Sequence, residues 1–158
     1  MISGFENLSE RQFEITKDAI GWITVLIAGA DGEIDKKEIG WAEKLASIRG
    51  YNNPNVLTEF YELVGKDFST KLNRILEKVP SDTNERKELL SRKIGQLNSI
   101  LPLLGNLGYE LYESYISFAK HVAKSSGGFL GFMTVDNEEK HLMSLPMLDK
   151  VDYQEEEE

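Results

Sequence analysis

The sequence predicts an all-α protein of about seven helices, and three observations carry this prediction. Apolar residues recur at spacings of three and four over long stretches, which is the period of a helix with one buried face. No run of β-branched residues alternates for long enough to form a strand. Glycine and proline punctuate the helical stretches. At 158 residues, the chain has the length of one domain.

The first half of the chain predicts a helical hairpin followed by two short helices. Helix one is expected to begin at Ser9, where Gln12 completes a Ser-x-x-Gln capping box, and to stop at Asp31-Gly32. Its apolar face carries Ile15, Ala19, Trp22, Leu26 and Ala30. The next three helices are expected at residues 35–50, 55–64 and 67–79, with Gly65 separating the last two.

The second half predicts three longer helices and a tail. The fifth helix is expected to begin near Ser81 or Asp82 and to kink at Pro102. It carries a long apolar stripe at alternating steps of four and three, made of Leu90, Ile94, Leu97, Leu101 and Leu104. The sixth is expected from Gly108 to about residue 125, with a wide apolar face that suggests a central position. The seventh is expected to begin at Asp136 and to run towards Asp149, bent or ended near Pro146. We expect one domain over residues 1–152 and a disordered acidic tail over residues 153–158.

Composition and charge narrow the classes of function. The chain has no cysteine, which excludes disulfides and thiolate chemistry and leaves the cytoplasm as the expected location. A net charge of −9 disfavours binding to nucleic acids, and no apolar stretch is long enough for membrane insertion. There is no glycine-rich phosphate loop and no Gly-x-Ser-x-Gly elbow, so we expect no enzymatic activity. Proteins and cations are the expected partners.

An acidic turn between the first two predicted helices is the strongest candidate for a site. Asp31, Glu33, Asp35 and Glu38 place four carboxylates in eight residues, and such hard oxygen ligands suit Ca²⁺ or Mg²⁺. The turn is not an EF-hand, because the glycine and the bidentate glutamate of that loop are missing. A second interpretation is structural: Asp35 caps the helix and Glu38 completes a reciprocal box. The sequence leaves both interpretations open, and any cation would bind weakly.

The end of the chain repeats this pattern in degenerate form. Val135-Asp136-Asn137-Glu138-Glu139 aligns with Ile34-Asp35-Lys36-Lys37-Glu38, which makes Asp136 and Glu139 a weaker second site. The repeat predicts helices that begin at the two aspartates and pack as related pairs. An insertion precedes the second copy and contains Phe129, Leu130 and Phe132 among glycines. These three residues either fold back onto the core or form an exposed loop that docks a partner.

The stretch Ala28-Gly29-Ala30-Asp31-Gly32-Glu33-Ile34-Asp35-Lys36-Lys37-Glu38 resembles the signature of the TerB-like family of tellurite-resistance and stress-associated helical domains. This family includes the amino-terminal part of some membrane-anchored DnaJ-like co-chaperones. The resemblance implies a seven-helix fold with pseudo-twofold symmetry and a non-catalytic binding role. It also implies an acidic site for divalent cations and a protein partner, for which a membrane-associated stress complex is one setting. Ser126 departs from the acidic residue often found in the family's second copy.

Three functions of different classes therefore remain. The first is a non-catalytic interaction module of a stress response, tuned by a divalent cation. The second is a structural scaffold or regulatory subunit without any ion. The third is a helical protein that binds a small molecule or lipid in a cavity between helices one, five and six.

Overall fold

The all-α prediction is confirmed by a computed structural model, which describes residues 1–30, 34, 36–51, 56–125 and 137–155. Within these ranges the side chains of residues 37, 38, 41, 47–51, 125 and 137–139 are not described. The described residues contain no β-strand. They form two short 3₁₀ helices, Gln96–Ser99 and Leu101–Leu104, and seven α-helices: α1 Glu10–Ala28, α2 Lys36–Tyr51, α3 Thr58–Lys66, α4 Phe68–Lys78, α5 Thr83–Gly95, α6 Asn106–Ser125 and α7 Asn137–Met143.

Helix α1 begins where the capping box was predicted. The Ser9 hydroxyl accepts from the Gln12 amide at 3.1 Å, and the Gln12 side chain accepts from the Ser9 amide at 2.9 Å. All five of the apolar residues predicted for its inner face are buried. From residue 19 to residue 30 every residue is buried, so the second half of α1 is covered on all sides. The most enclosed helix is therefore the first one, whereas the pattern suggested a central position for the sixth.

The other helices pack around α1. Helices α2 to α7 each contact it. Helices α1 and α2 both pack against α6. Helix α7 also packs against both α1 and α6. The second helix of each predicted hairpin thus lies on the first helix of the other hairpin, as a duplication would require. Among the described residues α2 and α7 begin at Lys36 and Asn137, and the predicted starting residues, Asp35 and Asp136, lie outside the described ranges. The connecting loops lie outside the described residues, so the pseudo-twofold symmetry remains a prediction.

The fifth predicted helix is not one long helix. The α-helical part, α5, ends at Gly95, and the chain continues through the two 3₁₀ helices to Leu104. Pro102 has no amide hydrogen and cannot donate to the carbonyl of Asn98, so an α-helix cannot run through it undisturbed. The chain uses tighter bonds from Ile100 to Leu97 and from Leu103 to Ile100, both at 3.0 Å. The predicted apolar stripe is nevertheless buried, at Leu90, Ile94, Leu97, Leu101 and Leu104.

Other helix boundaries differ in smaller ways. Helix α3 continues through Gly65 to Lys66, so the break from α4 falls at Asp67 instead. Helix α7 ends at Met143, so of the two predicted outcomes near Pro146 the helix ends there instead of bending and continuing towards Asp149. The cause is Pro146, which disfavours the right-handed helical conformation at the residue before it. Leu145 has a φ of 49° and is buried, and its amide donates to Leu142 at 2.9 Å.

Two asparagines fasten the chain after α7 to the body of the protein. The Asn98 amide donates to the Met147 carbonyl at 3.0 Å and accepts from the Asp149 amide at 2.9 Å. In the same way, Asn106 donates to the Gln154 carbonyl at 2.9 Å and accepts from its amide at 2.8 Å. Each side chain therefore satisfies backbone groups of a segment that has no regular structure of its own.

None of the helices in the described ranges is long and apolar enough to cross a membrane.

Tyr115 joins α6 to α1 at the centre of the molecule. Its hydroxyl donates to the Thr16 carbonyl at 2.7 Å, and its side chain is fully buried. Burial, and to a smaller extent the nearby Tyr61, raises the pKa of Tyr115 well above its ordinary value. The folded protein therefore keeps this proton under alkaline conditions in which an unfolded chain would lose it.

Two helical glycines should respond oppositely to alanine. A Cβ at Gly108 would overlap the backbone carbonyl of Leu101, which cannot move, so Gly108→Ala should lower the free energy of unfolding by about 2 kcal/mol or more. A Cβ at Gly21 would lie 2.7 Å from the terminal Cδ1 of Ile75, which can rotate away. Because alanine gains about 1 kcal/mol of helix propensity, Gly21→Ala should be neutral or stabilising. Urea unfolding of both variants measures this difference, and equal losses would contradict it.

Tyr115→Phe should change the pH dependence of stability. At neutral pH it should lower the free energy of unfolding by about 1 kcal/mol, the contribution of one hydrogen bond. The stability linked to the raised pKa is fully present below the ordinary value of 10.0 and is lost as pH rises beyond it, because the unfolded chain then ionises first. The variant has no such loss, so its deficit should shrink above pH 10.0. Urea unfolding across this range tests it, and a constant deficit would contradict it.

Candidate functional site

The acidic residues predicted as a cation site lie outside what the structure describes. Asp31, Glu33 and Asp35 are not among the described residues, and Glu38 belongs to α2 without a described side chain. The flanking residues are described. Ala30 is 2% exposed, and Ile34 is half-buried and packs against the hydrophobic core. The acidic turn is therefore attached to the core just before Asp31 and again at Ile34, between two of its acidic residues, while the arrangement of its carboxylates remains a prediction.

The second acidic motif, and the loop that contains Phe129, Leu130 and Phe132 (the phenylalanine loop), are likewise not described by the structure. Asp136, Phe129, Leu130 and Phe132 lie outside the described residues, and Glu139 lies on α7 without a described side chain. Among the described residues, no three His, Cys, Asp or Glu side chains are grouped so as to hold a metal ion. The choice between a buried and an exposed phenylalanine loop thus stays open.

A buried arginine stands at the entrance to the acidic turn. Arg86 is 4% exposed, and its guanidinium donates to the Gly29 carbonyl at 3.0 Å and to the Ser81 carbonyl at 3.3 Å. Gly29 caps the carboxyl end of α1, where the helix dipole is negative and favours a cation. A Cβ at Gly29 would lie 3.0 Å from two guanidinium nitrogens, so glycine allows this close approach. Arg86 thereby places a positive charge two residues before Asp31.

Local sequence explains how Arg86 reaches this position. The Asp82 carboxylate accepts from the Glu85 amide at 2.9 Å and caps α5, which fixes the start of the helix. Arg86 then falls on the same face as Leu90 and Ile94, both fully buried, at steps of four residues. The sequence analysis did not single out Arg86. The signal that could have identified it is a cationic residue at the same helical spacing as the apolar residues Leu90 and Ile94.

A cleft with cationic walls lies between α1, α4 and α5, on the outer surface of α1. Its volume is about 370 Å³, and its walls carry five cationic side chains and one carboxylate, namely Arg11, Lys71, Arg74, Lys78, Lys93 and Asp18. The Lys93 ammonium lies 5.5 Å from the centre of the Trp22 ring, a cation–π distance. The cleft involves helices one and five, as the third hypothesis expected for its cavity, but α4 takes the place of the sixth helix.

One cation of the cleft belongs to a network of carboxylates. The Lys71 ammonium lies 2.9 Å from Asp18, 3.2 Å from Glu14 and 3.8 Å from Asp67. Burial lowers the pKa of Lys71, but hydrogen bonds and charge attraction from Asp18 and Glu14 outweigh it and raise the pKa overall. Hydrogen bonds from Lys17 and Lys71 lower the pKa of Glu14. This network joins α4 to α1 along one side of the cleft.

Comparisons with known proteins add no relative: no family model, no curated protein and no solved structure matches this chain. The resemblance to the TerB-like family therefore rests on the acidic turn and its degenerate repeat, and it remains a prediction.

Replacing Arg86 tests how much its hydrogen bonds, beside the start of the acidic turn, contribute to stability. Arg86→Met removes the donors to Gly29 and Ser81, and should lower the free energy of unfolding by about 2 to 3 kcal/mol. Arg92→Met, an exposed arginine on the same helix, is the matched control and should change it by less than about 0.5 kcal/mol. Urea unfolding compares the two, and equal effects would mean that Arg86 contributes no more than a surface charge.

Proposed function

We propose that this protein is a non-catalytic interaction module of a stress response, similar in kind to TerB-like domains. In this proposal the acidic turn binds a divalent cation weakly, and the loop containing Phe129, Leu130 and Phe132 docks a protein partner. The seven α-helices of the described residues support the proposal, because the resemblance implies a seven-helix fold. The packing of α2 on α6 and of α7 on α1 supports the duplicated arrangement on which it depends.

The attachment of the acidic turn to the core at Ala30 and Ile34 is the observation that carries the cation part. Before the turn, Ala30 is buried and Arg86 donates to the Gly29 carbonyl; within it, Ile34 packs against the core, and its last carboxylate, Glu38, belongs to α2. The chain spans at most about 3.5 Å per residue, so carboxylates on this short segment stay near one another. Their mutual repulsion would be relieved by a divalent cation, which would stabilise the folded state.

The structural alternative makes a different prediction. If Asp35 and Glu38 only cap α2, they contribute about 1 kcal/mol through hydrogen bonds to the backbone, and no cation is involved. Glu38→Gln would then cost little, because glutamine also completes the box. Arg86 could supply the only positive charge that the turn needs. A cation-specific change in stability separates these two functions.

Thermal melts with Ca²⁺, Mg²⁺ or a chelator provide the experiment, at matched ionic strength so that general screening stays constant. A cation at a hundred times its Kd should stabilise the protein by about 2.7 kcal/mol. Asp31→Asn and Glu38→Gln should each reduce this gain. Asp152→Asn and Glu155→Gln remove equal charges from exposed positions near the end of the chain, and should leave it unchanged. Without a divalent-specific gain in the wild type, the turn is a capped turn and the cation proposal fails.

A further inference from the structure

The cleft between α1, α4 and α5 has a charge opposite to that of the whole protein. The chain carries a net charge of −9, yet five cations and one carboxylate line this cleft. Both α4 and α5 pack against α1, and the cleft lies along the line where the three helices meet. A local excess of positive charge on an acidic protein creates a potential that attracts anions to this place.

Most of this positive charge is not used inside the protein. Lys71 is neutralised by Asp18 and Glu14, which it contacts at 2.9 and 3.2 Å. Within the described part of the chain, none of the ion pairs involves Arg11, Arg74 or Lys78. These three side chains are exposed and can turn towards a ligand.

The floor of the cleft is apolar. Ile75, Val79 and Leu89 are half-buried there, so part of each side chain remains open to solvent. Trp22 lies deeper, at 8% exposure, and the Lys93 ammonium sits over its ring at 5.5 Å. The cleft therefore combines an apolar surface that favours a hydrocarbon or aromatic group with a rim of cations that favours an acidic group.

We propose that this cleft binds a small amphiphilic anion, with its carboxylate, sulfonate or phosphate group at Arg11, Arg74 and Lys78 and its apolar body over Ile75 and Leu89. A volume of about 370 Å³ lies within the range of small-molecule sites. The net charge of −9 favours a small ligand over an anionic membrane or an acidic protein, because a large anionic surface would also meet the repulsion of the rest of the molecule. This site is independent of the acidic turn and of the function proposed for it.

Titration calorimetry with soluble alkyl ligands tests the proposal on the full chain. Decanoate, used below its micelle threshold, should bind at one site, and affinity should fall from decanoate to hexanoate to acetate as the apolar body shortens. Decanol and decyltrimethylammonium, which lack the negative charge, should bind at least tenfold more weakly. In a Trp41→Phe background, decanoate should change the fluorescence of Trp22, which lines the cleft.

A pair of charge variants locates the site. Arg11→Gln combined with Arg74→Gln and Lys78→Gln should weaken decanoate binding about tenfold, since each exposed ion pair contributes little but three add together. The control combines Lys120→Gln, Lys124→Gln and Lys150→Gln, which removes the same charge from exposed positions outside the cleft and should leave affinity unchanged. Melting temperatures confirm that both variants fold.

Four results would overturn the proposal. The first is no binding of decanoate, and the second is equal affinity for decanoate and decanol. The third is equal weakening by the two sets of charge changes, which would indicate general attraction to the protein. The fourth is binding to vesicles of phosphatidylglycerol without binding to monomeric decanoate, which would replace the small ligand by a membrane surface.

Discussion

The burial of the carboxyl-terminal half of α1 is the constraint on which the rest of the structure depends. Twelve consecutive residues, from 19 to 30, are hidden from solvent, so the helix needs neighbours on every side. Each large apolar side chain contributes roughly 1.5 to 3 kcal/mol when it is buried. Its polar residues are satisfied within the bundle: the hydroxyl of Thr24 donates to the Ile20 carbonyl, and the Thr16 carbonyl accepts from Tyr115. Helix α1 is thus the surface on which the other six helices assemble.

This constraint also positions both candidate sites. The acidic turn follows directly from the carboxyl end of α1, where Gly29 admits the guanidinium of Arg86. The cleft lies where α4 and α5 both pack against α1, with Ile75 of α4 close to Gly21 of α1. The acidic turn carries carboxylates that lie close together along the chain. The cleft carries cationic side chains from three different helices. The two therefore attract ligands of opposite charge.

Sequence patterns reveal what is local and miss what is assembled in space. The capping box at Ser9 and the buried stripe from Leu90 to Leu104 follow from spacing alone, and both are confirmed. The change to 3₁₀ geometry after Gly95 was missed, because periodicity records which residues are buried and not how tightly the backbone turns. The cleft was missed for a different reason: Arg11, Arg74 and Lys93 come from three separate helices and share no motif. The acidic turn could be proposed from the sequence because its four acidic residues lie close together along the chain, and it remains a prediction.

The hydrogen bonds that Asn98 and Asn106 make with the chain after α7 have a consequence for the chemical durability of the protein. Each uses a carboxamide as donor and acceptor at once, and no other group of that size can do both. Hydrolytic loss of ammonia, the common form of damage at asparagine, would turn Asn98 into a carboxylate that faces the Met147 carbonyl. Two acceptors would then oppose each other where a hydrogen bond had been. Ageing of the polypeptide would thus loosen the segment after α7 from the body of the protein without cutting the chain.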